Sequence, residues 1–255
     1  MNAAQRMHHI DMQPGDVGRY VFLPGDPGRT EAIAARFENA RQVAYKREYR
    51  TFTGTLLGEK VSVTSTGIGN PSAAIAIEEL IMLGADTFIR VGTSGAMQPH
   101  IMPGDLAIVS GAVRDEGTSK HYLPVEFPAV PHLDVLLALR QAAQQLGLPH
   151  HVGFSHSKDS FYAQHAPERM PIASELQERW QAWTAGGAIC AEMESAILFI
   201  LGSIYRKRVG SVLLMAINQT AATPLPAARD QGQTLDTAIE AMKILIQQDH
   251  IKEQH

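Results

Sequence analysis

The sequence predicts an α/β fold, a single domain over residues 1–255 with a mixed central β-sheet flanked by helices. Three observations carry this. Short apolar, β-favouring runs alternate along the chain with longer segments of helical periodicity. With 255 residues, 45 % hydrophobic and 19 % charged, the chain has enough apolar material for one large core. Eight strand-like runs are too many for a small fold, and no internal repeat divides them.

The first strand covers 20–23 and runs into Pro24-Gly25-Asp26-Pro27-Gly28-Arg29, after which 30–37 reads as a helix. Strands follow at 42–45, 52–57 and 60–65. Asn70-Pro71 opens a helix, with Asn as N-cap and Pro at the first helical position; Ala74, Ile77 and Ile81 share a face and Gly84 ends it. The run at 86–91 is apolar on both faces, as in a strand covered on both sides, and 105–113 is the next strand. A helix from Leu133 to Leu146 stops at Gly147. Strand 150–156 leads into 159–183, irregular and then helical, with Pro167 and Pro171; this segment is expected to be a mobile flap over a site. A helix over 191–205, a strand over 209–217 and a helix over 231–248 complete the order.

Arg90 stands near the end of what otherwise reads as a buried strand. A buried guanidinium is costly unless paired, and its planar fork suits phosphate or carboxylate oxygens. Gly92, Thr93, Ser94 and Gly95 follow with N–H groups, hydroxyls and backbone freedom to wrap an anion. Two readings stay open: an oxyanion cradle, or an internal salt bridge to one of the chain's own carboxylates. Gly25 and Arg29 form a second anion signal beside a helix start, although a plain Pro/Gly turn accounts for the same residues. Lys46-Arg47-Glu48-Tyr49-Arg50 is a basic run that also fits a solvated hairpin edge. Glu192 and Glu194 fall in the expected first turn of the 191–205 helix, where they suit the helix dipole; a carboxylate there could equally accept from two neighbouring sugar hydroxyls, with Met193 against the sugar face.

Composition narrows the partners. A formal net charge of −4 lacks the broad basic face that nucleic acid or an anionic membrane requires. The only cysteine, Cys190, lies in an apolar stretch, so no disulfide framework is available; a core thiol and a reducing, cytoplasmic compartment are expected. The first residues have no apolar leader core, and no apolar run is long enough to span a bilayer.

The motifs together resemble the nucleoside phosphorylase I family and, within it, are similar to the hexameric uridine phosphorylases. They are PGDPGR at 24–29, REY at 47–49, STGIGNPS at 65–72, IRVGTSGAMQPHI at 89–101, EFPAV at 126–130, DSFY at 159–162 and EMES at 192–195. The resemblance implies a three-layer fold and phosphorolysis, in which a nucleoside and inorganic phosphate give a free base and a pentose 1-phosphate, with no organic cofactor. By motif position it assigns phosphate to Gly25, Arg29, Arg90 and Thr93, completed by Arg47 of a neighbouring subunit. It assigns ribose to Thr93, Met193 and Glu194 with Glu192 nearby, and the 5′-hydroxyl to His9 of the neighbour, with His8 as its adjacent competitor. Arg90, Thr93 and Glu194 would carry the catalysis. The family's assembly implies a homohexamer, a trimer of dimers, and a monovalent cation held by Glu48, Ile68 and Ser72 at the dimer interface.

Base recognition departs from that pattern. Uridine members carry Gln and, two residues later, Arg after the Phe-Tyr pair, whereas here Phe161-Tyr162 is followed by Gln164, His165 and, further on, Arg169. Gln219 stands where uridine members have Arg. Purine-specific relatives place an Asp in this region, and none occurs between Val212 and Leu225. Phe161, Gln164, His165, Arg169 and Gln219 are therefore the candidate base readers. Uridine is the expected substrate; a purine or otherwise altered nucleoside is the alternative, ahead of a hydrolase or a non-catalytic nucleoside-binding protein.

Overall fold

The structure is a computed structural model that describes residues 6–221, 223 and 225–253. Its strands are β1 (Tyr20–Pro24), β2 (Glu38–Lys46), β3 (Tyr49–Leu56), β4 (Glu59–Thr64), β5 (Thr87–Ala96), β6 (Leu106–Asp115), β7 (His150–Lys158), β8 (Cys190–Glu192) and β9 (Arg208–Asn218). Its α-helices are α1 (Gly28–Ala34), α2 (Asn70–Met82), α3 (Leu133–Gln145), α4 (Phe161–His165), α5 (Ala173–Ala185), α6 (Ser195–Tyr205) and α7 (Gly232–Glu253).

The expected mixed sheet is present, and it closes on itself. Strands run in the order β2-β3-β4-β1-β5-β8-β7-β6-β9, and β9 pairs back onto β5. The pairings β1–β4, β1–β5, β5–β9, β6–β7 and β7–β8 are parallel, while β2–β3, β3–β4, β5–β8 and β6–β9 are antiparallel. A five-stranded ring thus carries a four-stranded arm. Helices α1, α3 and α7 cover one face through Ile33, Val135, Leu139, Ile239 and Met242. On the other face α2 and α6 contribute Ile77, Leu80, Ile197 and Phe199.

Three local expectations need correction, each for a tertiary reason. Gly92 to Ala96 is not a loop after a strand ending at residue 91; β5 continues because β9 pairs with it from Thr87 to Ala96. The ninth strand, β8, takes residues read as the start of the 191–205 helix, since Cys190 and Ala191 pair with both β5 and β7. Asn70 is the first helical residue of α2 rather than its N-cap, and Gly69 occupies the cap position with φ 89°. The Asn70 side chain looks elsewhere, accepting from the Ile197 N–H at 3.2 Å.

That contact belongs to a shared cap. A helix leaves its first N–H groups unpartnered, and those of α6 are met by three other elements. Glu192 Oε2 accepts from Ser195 at 2.8 Å, Ser157 Oγ from Ala196 at 3.2 Å, and Asn70 Oδ1 from Ile197. The register of β7, β8, α2 and α6 is thereby tied together beneath the site.

At the opposite end of the sheet, Asp249 of α7 accepts from the Tyr20 hydroxyl at 2.8 Å and from Arg208 at 2.5 and 2.8 Å. Burial alone would raise the Asp249 carboxyl, but the Arg208 and Tyr20 hydrogen bonds outweigh it and hold the group below its ordinary value. A depressed folded-state pKa contributes stability above the unfolded carboxylate range near ~4, and that stability is lost as pH falls through the lower folded value. Asp249→Ala is therefore expected to destabilise the protein by about 3 kcal/mol at neutral pH. Denaturant unfolding at pH 7 and in acid checks it: the gap to wild type narrows on acidification, and a gap independent of pH would remove the ionised Asp249 from the account.

Candidate active site

The carboxyl ends of β1, β5 and β7 open onto one cavity of about 970 Å³, the usual place and size for a ligand crevice in an α/β sheet. Gly25 and Arg29 reach it from β1 and α1, Arg90, Gly92 and Thr93 from β5, and Glu192, Met193 and Glu194 from β8 and the turn into α6. A register shift between Ser94 and Gly95 bulges β9 at Ala216, which also lines the wall. The structure thus brings together the first two anion signals and the carboxylate motif, which lie far apart in sequence.

Arg90 has the internal salt bridge of the second reading and also stands on the cavity wall. Its Nε donates to Glu192 Oε2 at 3.2 Å and its Nη2 lies 2.5 Å from Glu194 Oε2, while the side chain remains on the cavity wall with 6 % exposure. Arg29 faces the same space. Burial lowers its pKa first and the positive charge of Arg90 second. Two guanidiniums facing one space repel each other, and an anion placed between them relieves that repulsion.

The two carboxylates divide their work. Glu192 accepts from the N–H groups of Glu194 and Ser195, both at 2.8 Å, and from Ser155 Oγ at 3.2 Å. It caps α6 from outside the helix and orients Arg90, a positioning task that the first-turn reading did not contain. Burial would raise it, but Arg90 and the two N–H groups hold it below the usual carboxylate range. Glu194 accepts from the Gly69 N–H at 2.6 Å. Burial pushes its carboxyl up, with Glu192 adding to the rise and Arg90 opposing it.

Beyond the sugar-sized part of the cavity lies an aromatic shelf. Phe161 and His165 stack at 4.1 Å between centroids, with an interplanar angle of 34°. A second cavity of about 580 Å³ adjoins the first, and Gln164 and Gln219 line it. Gln164 Nε2 donates to Gln219 Oε1, which leaves Gln164 Oε1 and Gln219 Nε2 buried with no partner among the described residues. Arg169, read as a base contact, is not brought to either cavity: a short 3₁₀ turn over Pro167–Arg169 leaves it exposed. The 159–183 segment does lie over the site, with no buried residue in α4 or α5.

His9 and Arg47 do not line the cavity of their own chain. His9 is held by Glu79, its Nδ1 2.6 Å from Oε1 and its N–H 3.0 Å from Oε2. Arg47 occupies the two-residue turn between β2 and β3 with φ 55°, an uncommon conformation for a residue with a side chain. Lys46 Nζ donates to the His8 carbonyl at 2.7 Å, so the histidine pair and the Arg47 turn are neighbours on one surface. Ile68, 78 % exposed, and Glu48 and Ser72 line the rim of the cavity; Ser72 Oγ donates to Glu48 Oε1 at 2.7 Å. Among the described residues no cluster of three His, Cys, Asp or Glu side chains could hold a metal, and no helix is long and apolar enough to cross a membrane. Cys190 is fully buried and burial raises its thiol pKa, as a core thiol requires.

The sequence pattern of the phosphorylase superfamily matches residues 19–248. The chain belongs to the phosphorylase superfamily. Among its relatives, a uridine phosphorylase of Treponema pallidum is 52 % identical over 245 residues, covering 95 % of each chain. A uridine phosphorylase of Thermococcus kodakarensis is 46 % identical over 248 residues, covering 96 % of this chain and 89 % of its own. A guanosine phosphorylase of Halorubrum lacusprofundi is 38 % identical over 222 residues, covering 87 % and 88 %.

Two parts of this phosphorylase site escaped the sequence reading. The Gly69 N–H, which fixes Glu194, belongs to a backbone group with no side-chain signature. Lys158 fell beyond the expected 150–156 strand and was not singled out; it is 6 % exposed and borders both cavities. A lysine following His156 on the same face of β7 was the available signal.

Proposed function

We propose that the chain catalyses phosphorolysis of a pyrimidine nucleoside, uridine and phosphate giving uracil and ribose 1-phosphate, in nucleoside salvage. The observation that carries this reading is the company of groups around two adjoining cavities: Arg29, Arg90, Glu194 and Phe161 line the first, the glutamine pair lines the second, and His165, stacked on Phe161, borders both. Phosphate between the guanidiniums attacks C1′ of the sugar; the new C–O bond forms as the C–N bond breaks, and its electron pair leaves with the base, which then takes a proton. Glu194 holds the sugar hydroxyls, and Thr93 meets both phosphate and sugar. Stabilisation of charge that develops only in the transition state accounts for the rate.

The glutamine pair supports a pyrimidine edge. Either assignment of the two amides leaves one donor and one acceptor free, which complements the adjacent N–H and carbonyl of uracil. Phe161 and His165 offer the face on which the ring stacks. The guanosine phosphorylase relative favours a second reading, in which the same phosphate and sugar sites serve a purine. The absence of an Asp between Val212 and Leu225 weighs against it.

The site is completed by a second copy. Arg47 and His9, adjacent on one surface and outside their own cavity, would reach the phosphate and the 5′-hydroxyl of the neighbour in a cytoplasmic homohexamer built as a trimer of dimers. Hydrogen bonds from its own backbone, Ser72 and Tyr49 outweigh burial and hold the Glu48 carboxyl below its ordinary value. An ionised Glu48 with the Ser72 hydroxyl and the Ile68 carbonyl fits a hard monovalent cation of structural use; no other cofactor enters.

The test is release of free base from uridine, thymidine, inosine and adenosine, each with and without inorganic phosphate. Phosphate-dependent uracil release is expected. Purine release would transfer the chain to the second reading, and cleavage independent of phosphate would make it a hydrolase.

A further inference from the structure

Lys158 is the last residue of β7, at the carboxyl end of the sheet. Alternation along the strand sends Ser157 to the side where it caps α6 and puts His156 and Lys158 on the other. Arg90 and Arg179 both have carboxylate partners within 4 Å, and His156 is paired with Asp115 at 2.8 Å. Lys158 has no ion pair within 4 Å among the described residues, although it is 6 % exposed. A buried ammonium without a partner is costly and marks a group held for a purpose beyond packing.

Its surroundings fix where that charge acts. Among the described residues, Lys158 and His165 alone border both cavities. On one side the Lys158 charge, after burial, lowers the pKa of His165 on the aromatic shelf. On the other side stand Glu192 and Glu194, whose charges oppose the burial that lowers Lys158 itself. The ammonium therefore borders both the shelf that would stack the base and the space of the carboxylate that would hold the sugar, the two groups that the glycosidic bond must join.

We propose that Lys158 is a catalytic residue that receives the negative charge of the departing base, donating to the carbonyl oxygen on the carbon next to the glycosidic nitrogen as the C–N electron pair moves onto the base. This rests on the phosphorolysis reading above. The ammonium is a compact charge on a residue only 6 % exposed, and a desolvated charge interacts strongly with charge as it develops. The inference selects bases that carry a carbonyl next to the bonded nitrogen, as pyrimidines do, and it makes the enzyme's rate sensitive to the acidity of the base.

The experiment compares wild type, Lys158→Met and Lys158→Arg on uridine, 5-methyluridine and 5-fluorouridine, with kcat and both KM values measured. For Lys158→Met the kcat on uridine is expected to fall by about 10²- to 10³-fold. The loss shrinks on 5-fluorouridine, whose more acidic base leaves with less help, and grows on 5-methyluridine; the KM for phosphate stays within about threefold of wild type. Lys158→Arg recovers part of the rate. An equal loss on all three substrates would overturn the proposal in favour of a positioning role, and a raised phosphate KM at unchanged kcat would make Lys158 a phosphate ligand. If Lys158→Met does not fold, the same comparison of bases with Lys158→Arg decides. Wild-type failure to release any base in the presence of phosphate would overturn the phosphorolysis reading itself, a result distinct from a flat response to base acidity in an active enzyme.

Discussion

Replacing Arg90 by Ala is expected to reduce phosphate-dependent turnover by a factor on the order of 10³ or more, since in the proposed reaction this one residue would supply a transition-state cation and hold the carboxylate assigned to the sugar. The structure makes this change more than the loss of one ligand. Arg90 bridges Glu192 and Glu194, and its removal takes from two buried carboxylates the cation that pairs with both. Breaking a buried pair of this kind costs about 3–5 kcal/mol. Arg90→Ala should therefore unfold at lower denaturant as well as lose activity, and Arg90→Lys separates the effects. Lysine keeps the charge but cannot reach both carboxylates with a planar fork; its stability is expected near wild type with turnover still down by about 10²-fold. Near-normal phosphorolysis by a folded Arg90→Ala enzyme would take Arg90 out of the site.

The second large effect is recovery of activity from two dead proteins. Arg47→Ala is expected to be inactive although Arg47 touches no wall of its own cavity. If each site takes Arg90 from one copy and Arg47 from another, random exchange of equal amounts of Arg47→Ala and Arg90→Ala subunits rebuilds about a quarter of the sites. Phosphate-dependent base release after exchange, followed over time, measures this. Subunit exchange confirmed by mass with no return of activity would place Arg47 and Arg90 in the same copy's site, or Arg47 in none.

Much of this was legible before any coordinates. Arg90 announced itself because a guanidinium inside an apolar strand must have a partner, and the partner was the only open question. Its carboxylates lie 102 and 104 positions along the chain, at Glu192 and Glu194, so no local pattern could reveal that the arginine has both an internal pair and a place on the cavity wall. Gly92 to Ala96 looked like a loop because four small residues carry little strand preference; their conformation comes from β9, more than 100 residues away. The same non-local pairing turned Cys190 to Glu192 from a helix start into a strand. Arg169 was chosen by spacing from a motif, and a one-turn change in backbone direction was enough to send it outward. Lys158 failed to register because a lysine just past an expected strand is usually solvated, and only burial from α4 and the carboxylate turn distinguishes it.

Closure of β5 onto β9 has a further consequence for how this protein avoids sticking to itself. With the ring sealed, β6 and β7 are open only over part of their length, and the one described strand that lacks a neighbour along the whole of one border is β2. That border is a poor template for an incoming strand. Its pairing with β3 is interrupted twice by register shifts, and Glu38, Arg41 and Lys46 place charges along it. Irregular pairing and charge are the devices that keep exposed edges from recruiting other chains. Resistance to amyloid-like growth thus falls to nine residues at one margin, and straightening β2 with an apolar, bulge-free sequence would be the shortest route to an aggregating variant.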